Sequence, residues 1–325
     1  MILNIVFLIL GLVLILVGAN ALTDGASSLA KRWGMSDLVV GLTIVAFGTS
    51  APELVISVMS AVDGNAGLAI GNVVGSNIFN VCAIIGITSL VRPMRISKSI
   101  LTTDIPLVIL SALVLLTMGN ASLLDGSKTN MLTRVDGIIL LLFFMVFMHH
   151  TFSSARHAAS GDPAAKGGEL KRKMPVWKAW LWVAGGLAGL IYGGDKFVDG
   201  ASGIAAGLGV SDAVIGLTIV AAGTSLPELA TSLTAALKGN TGIAVGNVIG
   251  SNIFNIFMVL GVSATIRQLP FAGVTVVDLA VMTGSALLFW LFGWFIRTRT
   301  ITRGEGAVMT MCYLAYVGWL IYQAV

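Results

Sequence analysis

Two copies of one short motif place polar side chains inside long apolar runs. Residues 48–54 read GTSAPEL and residues 223–229 read GTSLPEL, so each copy has two hydroxyls and one carboxylate beside a proline. Pro52 has no N–H group, so the carbonyl one turn earlier, near Gly48, loses its helical partner and the helix is interrupted. Inside hydrocarbon, such a break persists only where it is buried in protein or faces a cavity.

The groups around this predicted break offer only oxygen ligands. Ala46, Thr49 or Ser50, and Glu53 are three or four residues apart, so they share one face of a helix. Hydroxyl, carbonyl and carboxylate oxygens without imidazole or thiolate are the ligands of hard cations such as Ca²⁺ and Na⁺, and not of Zn²⁺ or Cu²⁺. We therefore predict a binding site for hard cations at the break.

The composition indicates that these motifs belong to a membrane protein. Of the 325 residues, 56% are hydrophobic and 10% are charged, whereas about 25% of a soluble globular protein is charged. The apolar segments have the length of membrane-spanning helices rather than of the short alternating strands of a β-barrel. The sequence therefore predicts an all-α integral membrane protein in a lipid bilayer, with no nucleic-acid partner. Cys82 and Cys312 lie in apolar runs and are interpreted as core residues.

The chain contains an internal duplication. Aligning Ser36 with Ser211 and Arg92 with Arg267 needs no gap, and more than half of the positions between them are identical. The segment between the duplicated parts is polar and basic, which favours a flexible linker. We accordingly divide the chain into a first repeat, a cytoplasmic linker and a second repeat, at residues 1–150, 151–175 and 176–325.

Ten apolar segments are long enough to cross a bilayer, five in each repeat. Because five is odd, the second repeat enters the membrane from the opposite side, which is the inverted arrangement of many secondary transporters. We predict that helices 2, 3, 7 and 8 are broken and meet at the midplane of the membrane. The predicted helix cores are residues 3–22, 37–61, 68–90, 101–118, 134–150, 177–199, 212–236, 243–265, 274–296 and 306–323.

The placement of basic residues predicts the orientation. Most of the 19 lysines and arginines fall in the loops after helices 1, 3, 5, 7 and 9, and loops rich in these residues are cytoplasmic. Both termini are therefore predicted to lie outside a plasma membrane. The basic residues left for the outer side are Lys128, Arg134, Lys196 and Arg267.

Each repeat also carries a stripe of small polar residues. Residues 71–80 read GNVVGSNIFN and residues 246–255 read GNVIGSNIFN, with an asparagine, a serine and a second asparagine four residues apart on one helix face. For Asn72 and Asn77, packing through interhelical hydrogen bonds is an equally good interpretation. The serine and the last asparagine are predicted to line the cation site, because their stripe lies beside the glutamates. These residues are Ser76, Asn80, Ser251 and Asn255.

The two glutamates of the GTSxPE motifs, Glu53 and Glu228, have no lysine or arginine in the core of any nearby predicted helix. Two carboxylates within a few ångströms repel in a low dielectric, so one holds a proton unless a cation lies between them. One Ca²⁺ cancels both charges, and two Na⁺ do the same. A shared site that is costly to leave empty couples the two ions, which predicts exchange by alternating access.

These motifs resemble the two repeats of the sodium/calcium exchanger family, within the cation/Ca²⁺ antiporter superfamily, and the resemblance covers nearly the whole of each repeat. GTSxPE and GSNIFN occur in both repeats in the expected order, and the length is similar to that of prokaryotic members. The resemblance implies the ten-helix inverted fold and a secondary active antiporter that exchanges Ca²⁺ for Na⁺. It implies no enzymatic activity, no cofactor and no protein partner.

The resemblance also implies a role for each motif position. Glu53 and Glu228 would be the central ligands of Ca²⁺ and of part of the Na⁺, and helices 1 and 6 resemble the pair that slides across the rest. The other implied ligands are the hydroxyl or backbone oxygens of Thr49, Ser50, Thr224 and Ser225, the carbonyls of Ala46 and Ala221, Ser76 and Ser251 in flanking sites, and Asn80 and Asn255 at the middle.

One position departs from part of the family. Members that carry K⁺ often have aspartate at the position of Asn80 or Asn255, and this sequence has asparagine at both. We therefore predict transport that does not require K⁺.

Other functions stay open at this point. A Ca²⁺/H⁺ antiporter could use the same two glutamates, and a cation channel could line its path with the same oxygens. An intramembrane metalloenzyme is disfavoured, because the sequence has no HExxH motif.

Four acids near predicted helix ends are interpreted as interfacial residues, with a proton-linked role as the alternative. They are Asp24, Asp104, Asp199 and Asp278.

Overall fold

A computed structural model describes most of the chain, and within the described residues the protein is almost entirely helical. The middle of the predicted linker and the predicted start of helix 7, residues 212–220, lie outside the described part. The described residues are 2–124, 126, 129–161, 174–208, 221–295 and 299–324.

The helices in the described residues are α1 Ile2–Trp33, α2 Asp37–Val40, α3 Ala46–Thr49, α4 Ala51–Asp63, α5 Ala66–Ile78, α6 Gly86–Val91, α7 Ile105–Met118, α8 Ala121–Leu124, α9 Arg134–Gly161, α10 Val176–Gly207, α11 Ala221–Gly223, α12 Leu226–Leu237, α13 Thr241–Ile253, α14 Gly261–Ile266, α15 Val276–Phe295 and α16 Arg303–Ala324. Wider π-helical turns are π1 Gly41–Val45, π2 Phe79–Ile85, π3 Ile100–Asp104 and π4 Phe254–Leu260. The short strands are β1 Met94–Arg95, β2 Met131–Leu132, β3 Leu269–Pro270 and β4 Thr300–Ile301.

Within the described residues, six helices are long and apolar enough to cross a membrane, or seven if the bent pair Asp37–Thr49 and Ala51–Asp63 counts as one span. The apolar surface of α1 agrees with a lipid environment, since Ile9, Val13 and Leu16 are exposed. The six helices are Ile2–Trp33, Ala66–Val91, Ile100–Met118, Arg134–Ser153, Thr241–Ile266 and Val276–Phe295.

Helices 3 and 8 differ from the prediction that they are broken. Helix 3 continues without interruption from Ala66 to Val91, and helix 8 continues from Thr241 to Ile266. Neither segment contains a proline, so no backbone N–H is missing. Each helix instead widens into one π-helical stretch, π2 or π4, directly after the GSNI sequence.

The described chain forms two compact units, and each takes segments from both predicted repeats. The first unit comprises Met1–Thr49, His149–Val248 and Leu314–Val325. The second unit comprises Ser50–Met148 and Ile249–Tyr313.

In the first unit, α1 and α10 pack along each other at glycine residues. A Cβ atom on Gly18 would lie 2.7 Å from the Gly186 carbonyl oxygen, and one on Gly11 would lie 2.7 Å from the Gly193 carbonyl oxygen. The helices are antiparallel, because the contact moves backwards along α10 as it moves forwards along α1. Any larger side chain at these positions would separate the two backbones.

The loop after α12 contacts α1 through polar groups. Lys238 Nζ lies 2.8 Å from Asp24 Oδ1 and donates to the Asn20 carbonyl oxygen at 3.1 Å. Asn240 Nδ2 donates to Ser27 Oγ at 2.7 Å. Because α1 continues to Trp33, Asp24 lies inside the helix and not at the predicted helix end.

In the second unit, α4 and α5 form a hairpin that is closed by local backbone chemistry. Gly64 ends α4 with a φ of 83°, a left-handed conformation that favours glycine. The Asn65 side chain then caps α5 by accepting from the Leu68 N–H. This hairpin places the GTSAPEL and GNVVGSNIFN segments next to each other.

The remaining elements of the second unit complete its core. α15 packs against α7 and α5, and Ile78, Ile85, Phe257 and Phe289 are buried. β1 pairs with β4 and β2 pairs with β3, both antiparallel. The prediction that both cysteines are core residues holds for Cys82, whereas Cys312 is exposed.

The other three predicted interfacial acids have different surroundings. Asp278 accepts from the N–H and the hydroxyl of Thr275, both at 2.7 Å, and so caps the start of α15. Asp199 pairs with Lys196 at 2.8 Å. Asp104 is buried at the end of π3.

Candidate functional site

Both GTSxPE motifs interrupt a helix. α3 ends at Thr49, Ser50 has φ −84° and ψ 9°, and α4 begins with Pro52 in its first turn. The second copy has the same geometry, since Ser225 has φ −93° and ψ 7° before α12. Proline suits the first turn of a helix, where its missing N–H would have no partner.

The interruption places one glutamate in the first turn of each new helix. Glu53 lies in the first turn of α4 and Glu228 in the first turn of α12, and the side chains of both are fully buried, with 0% exposure. The positive end of the helix dipole favours a carboxylate at this position. Burial nevertheless removes the water that would otherwise solvate the charge.

In the second unit, Asn72 connects the two helices of the α4–α5 hairpin. Its Nδ2 donates to the Glu53 carbonyl oxygen at 3.4 Å and to Ser57 Oγ at 3.0 Å. Ser57 Oγ in turn donates to the Ala69 carbonyl oxygen at 3.3 Å. These bonds hold the backbone of Glu53 against α5, so the packing interpretation of Asn72 agrees with its contacts.

The first unit contains the equivalent connection. Asn247 Nδ2 donates to the Glu228 carbonyl oxygen at 3.3 Å and to Ser232 Oγ at 3.0 Å, and Ser232 Oγ donates to the Ala244 carbonyl oxygen at 3.4 Å. Asn247 Oδ1 also accepts from Thr49 Oγ1 at 3.1 Å. The predicted site residue Thr49 is therefore held by an asparagine of the other repeat.

A serine of α5 lies beside the first glutamate. Ser76 Oγ is 3.5 Å from Glu53 Oε1, at the long limit of a hydrogen bond. Within the second unit, this contact brings the hydroxyl of the GSNIFN motif to the carboxylate of the GTSAPE motif. The sequence predicted this proximity from the two stripes.

Four buried asparagines form a reciprocal network in the second unit. Asn80 Nδ2 donates to Asn252 Oδ1 at 3.0 Å, and Asn255 Nδ2 donates to Asn77 Oδ1 at 3.2 Å. Asn77 Nδ2 donates to the Asn252 carbonyl oxygen at 3.2 Å, and Asn252 Nδ2 donates to the Asn77 carbonyl oxygen at 3.4 Å. The duplication aligns Asn77 with Asn252 and Asn80 with Asn255, so equivalent residues exchange equivalent bonds.

Three buried oxygens of the two GSNIFN segments have no hydrogen-bond partner among the residues that the structure describes. They are Asn80 Oδ1, Asn255 Oδ1 and Ser251 Oγ. An amide oxygen can only accept, so a hydrogen-bond donor or a cation is the partner that suits the two asparagines. These oxygens are consistent with cation binding by the predicted stripe.

The twelve predicted site residues are divided equally between the two units. Most of their described side chains are buried, and Thr224 is half-buried. In the first unit, Thr49 Oγ1 lies 3.5 Å from the Ala46 carbonyl oxygen. The first unit contains Ala46, Thr49, Ala221, Thr224, Ser225 and Glu228, and the second contains Ser50, Glu53, Ser76, Asn80, Ser251 and Asn255.

Interhelical hydrogen bonding was one interpretation of Asn77 from the sequence, whereas the same role of Asn252 and Asn247 was not identified. The repeated GSN triplet was a signal for Asn252, since both repeats keep an amide directly after the serine. Sequence reasoning also did not identify the glycine contacts of α1 and α10. Glycine recurs every seven residues in each of these helices, at Gly11, Gly18 and Gly25 and at Gly186, Gly193 and Gly200.

Comparisons with known proteins agree over almost the entire chain. The family model described as sodium/calcium exchanger protein matches residues 3–152 and 178–322. The protein CaxA of Alkalimonas amylolytica is 40% identical over 315 residues, which cover 96% of each chain. The sodium/calcium exchanger MaX1 of Methanosarcina acetivorans is 34% identical over 350 residues, which cover 98% of this chain and 99% of that protein.

A solved structure has a similar fold. The sodium-calcium exchanger NCX_Mj, soaked with Na⁺ and Ca²⁺, aligns with a TM-score of 0.82 at 30% sequence identity, over 98% of both chains. The similarity extends over both matched segments and is not limited to the motifs.

Proposed function

The chain belongs to the sodium/calcium exchanger protein family, and from this premise we propose that it exchanges Ca²⁺ for Na⁺ by alternating access, without a requirement for K⁺. It is an all-helical membrane transporter of the cation/Ca²⁺ antiporter type and not an enzyme. The transported ions are substrates, so no cofactor is involved.

The observation that carries the proposal is the set of buried oxygens without hydrogen-bond partners. Asn80 Oδ1 and Asn255 Oδ1 have none among the described residues, and a buried acceptor left unpaired costs about 1–3 kcal/mol. A bound cation removes this cost. Ser76, one turn before Asn80, links the same helix face to the Glu53 carboxylate at 3.5 Å.

The proposed ligands follow the motif positions in both repeats. Glu53 and Glu228 supply two formal negative charges, which balance one Ca²⁺ or two Na⁺. Oxygen atoms alone suit both of these hard cations. The other proposed ligands are Ala46, Thr49, Ser50, Ser76, Asn80, Ala221, Thr224, Ser225, Ser251 and Asn255.

The proposal includes ten spanning helices in two inverted repeats. The antiparallel packing of α1 and α10 supports it, because Gly11 contacts Gly193 while the equivalent glycines, Gly186 and Gly18, also contact each other. A two-fold axis perpendicular to two antiparallel helices produces such paired contacts between their aligned residues. In a membrane, that axis relates inverted repeats.

We further propose that α1 and α10 move as a pair to alternate access, as the family resemblance implies. The proposed location is the plasma membrane, with both termini outside, because the basic loops identify the cytoplasmic side. The proposed partners are the two ions and the lipid bilayer.

The test is uptake of radioactive Ca²⁺ into proteoliposomes loaded in turn with Na⁺, K⁺ or protons, each against a medium without that cation. We expect uptake only from Na⁺-loaded vesicles, at the same rate with and without added K⁺. Uptake driven by a proton gradient in Na⁺-free medium would instead identify a Ca²⁺/H⁺ antiporter. Ion currents far above carrier rates would identify a channel.

A further inference from the structure

The asparagine network of the second unit has two members, Asn77 and Asn252, that the proposed ligand set does not use. We propose that these are positioning residues, which turn the amide oxygens of Asn80 and Asn255 towards the transported cation. The inference rests on the proposed function, in which Asn80 and Asn255 are ligands. It assigns a separate task to the asparagine that directly follows the serine in each GSNIFN motif.

Backbone carbonyl oxygens determine the orientation of the Asn77 and Asn252 side-chain amides. The carbonyl oxygens of Asn77 and Asn252 can only accept hydrogen bonds. The side-chain NH₂ group of each residue donates to the carbonyl oxygen of the other, at 3.2 and 3.4 Å. A flipped amide would bring two oxygens together, so this orientation is the one that the contact allows.

The orientation of the Asn80 and Asn255 amides follows from that of Asn252 and Asn77. With their NH₂ groups engaged, Asn252 and Asn77 present their Oδ1 atoms to the neighbouring amides. Asn80 Nδ2 donates to Asn252 Oδ1 at 3.0 Å, and Asn255 Nδ2 donates to Asn77 Oδ1 at 3.2 Å. The Oδ1 atoms of Asn80 and Asn255 are thereby turned away from the network, and both are buried without a hydrogen-bond partner among the described residues.

This arrangement matters because an amide has one favourable and one unfavourable face for a cation. Its oxygen carries partial negative charge and ligates, whereas its NH₂ group carries partial positive charge and repels. A carboxylate has two equivalent oxygens and needs no such orientation. A transporter that uses asparagine at these two positions therefore needs neighbours that select the amide face.

All four side chains are buried, with exposures of 0–2% for Asn77, Asn80, Asn252 and Asn255. The NH₂ groups are therefore shielded from bulk water, and their partners in the structure are protein oxygens. Each positioning asparagine acts on one ligand of the other repeat, Asn252 on Asn80 and Asn77 on Asn255. This pairing makes the inference testable, because a substitution that removes one positioning side chain should affect one ligand more than the other.

The experiment measures Ca²⁺ affinity directly by calorimetric titration of the purified full-length protein, so that it does not depend on the coupling ion. Asn252→Leu removes the acceptor for Asn80 at similar side-chain size, and we expect Ca²⁺ affinity to fall about tenfold or more, as for other residues that orient a metal ligand.

The decisive comparison is a double-mutant cycle. In an Asn80→Asp background, Asn252→Leu should cost little affinity, because an aspartate presents an oxygen in either orientation. In an Asn255→Asp background, Asn252→Leu should still cost about tenfold, because the affected ligand is Asn80. The mirrored pair, Asn77→Leu with Asn255→Asp, should show the same specific rescue.

Equal losses from Asn252→Leu in all three backgrounds would overturn the inference and leave Asn252 as a packing residue. If the leucine variant is not monodisperse on gel filtration, Asn252→Ala removes the same acceptor and enters the same cycle. Absence of Ca²⁺ binding by the unmodified protein would contradict the proposed function instead, so the two failures are distinct.

Discussion

At the scale of single residues, the central fact is the burial of two carboxylates inside an apolar protein. Glu53 and Glu228 are completely shielded from solvent, and removing an ionised carboxylate from water costs several kcal/mol. Asn72 and Asn247 donate to the backbone carbonyl oxygens of these residues. These asparagines therefore fix the backbone position of each glutamate.

Replacing either glutamate by glutamine tests this charge. In Glu53→Gln and in Glu228→Gln, we expect Na⁺-driven Ca²⁺ uptake to fall to background, because the amide keeps the shape and removes one of two negative charges. Glu305→Gln is the matched control, since Glu305 caps α16 by accepting from the Thr302 N–H and glutamine can serve in the same cap. Normal transport by both motif variants, with gel-filtration profiles like the parent, would remove these acids from the mechanism.

A second substitution at this scale tests cation selectivity. Asn255→Asp adds a third negative charge to a buried position, and we expect the dependence of transport on Na⁺ and K⁺ to change while expression stays the same. The measurement is the Ca²⁺ uptake rate as a function of each ion. Asn65→Asp is the control, because Asn65 is an exposed helix cap and aspartate caps equally well. Identical ion dependence in Asn255→Asp would make Asn255 a packing residue.

At the scale of elements, local chemistry explains where the helices are interrupted. The close approach of two backbones explains the glycines of the long helices α1 and α10. Proline interrupts the chain before α4 and α12, whereas the proline-free helices 3 and 8 continue through π2 and π4. α1 and α10 approach so closely that a Cβ on Gly186 would lie 2.6 Å from the Leu22 backbone nitrogen. Glycine is required there because backbone atoms cannot move aside.

Two adjacent glycines of α10 allow a matched test of this packing. Gly186→Leu should destabilise the first unit, because overpacking typically costs about 1–3 kcal/mol. Gly185→Leu is the control, since a Cβ at Gly185 has no atom within 4 Å. We expect thermal unfolding in detergent to shift down by several degrees for Gly186→Leu and by less than about one degree for Gly185→Leu. Equal shifts would show that α1 and α10 are not closely packed.

At the scale of the whole molecule, the proposed inversion predicts opposite sides for equivalent loops. Asp63 and Lys238 occupy the same position in the two repeats, and both are exposed. Lys238 belongs to a loop assigned to the cytoplasm, and Asp63 to a loop assigned to the outside. Repeats inserted in the same direction would place both on one side.

Labelling with a membrane-impermeant thiol reagent distinguishes these arrangements. In a background with Cys82 and Cys312 replaced by alanine, Asp63→Cys should react in intact cells, and Lys238→Cys should react only after the membrane is opened. A cysteine added at either terminus should behave like Asp63→Cys. Labelling of both loop cysteines from the same side would overturn the inverted arrangement.

Much of the architecture could be predicted from the sequence because its causes are local. The apolar segment lengths, the proline beside each glutamate and the charge pattern of the loops depend on residues close together in the chain. The same holds for the Ser76 and Glu53 contact, since one short hairpin connects α4 and α5. The breaks predicted in helices 3 and 8 were wrong, since neither helix contains a proline that would remove a backbone N–H.

The sequence by itself determined the duplication and the family, and it predicted the types of ligand atoms. Only the tertiary structure decided which amide bonds which, and that α1 and α10 contact each other through their glycines. Asn77 and Asn252 are far apart in the chain, so the direction of their hydrogen bonds depends on how two distant helices approach. No local sequence pattern specifies how closely these helices approach. The orientation of each amide depends on the hydrogen-bond acceptor that the fold places beside it.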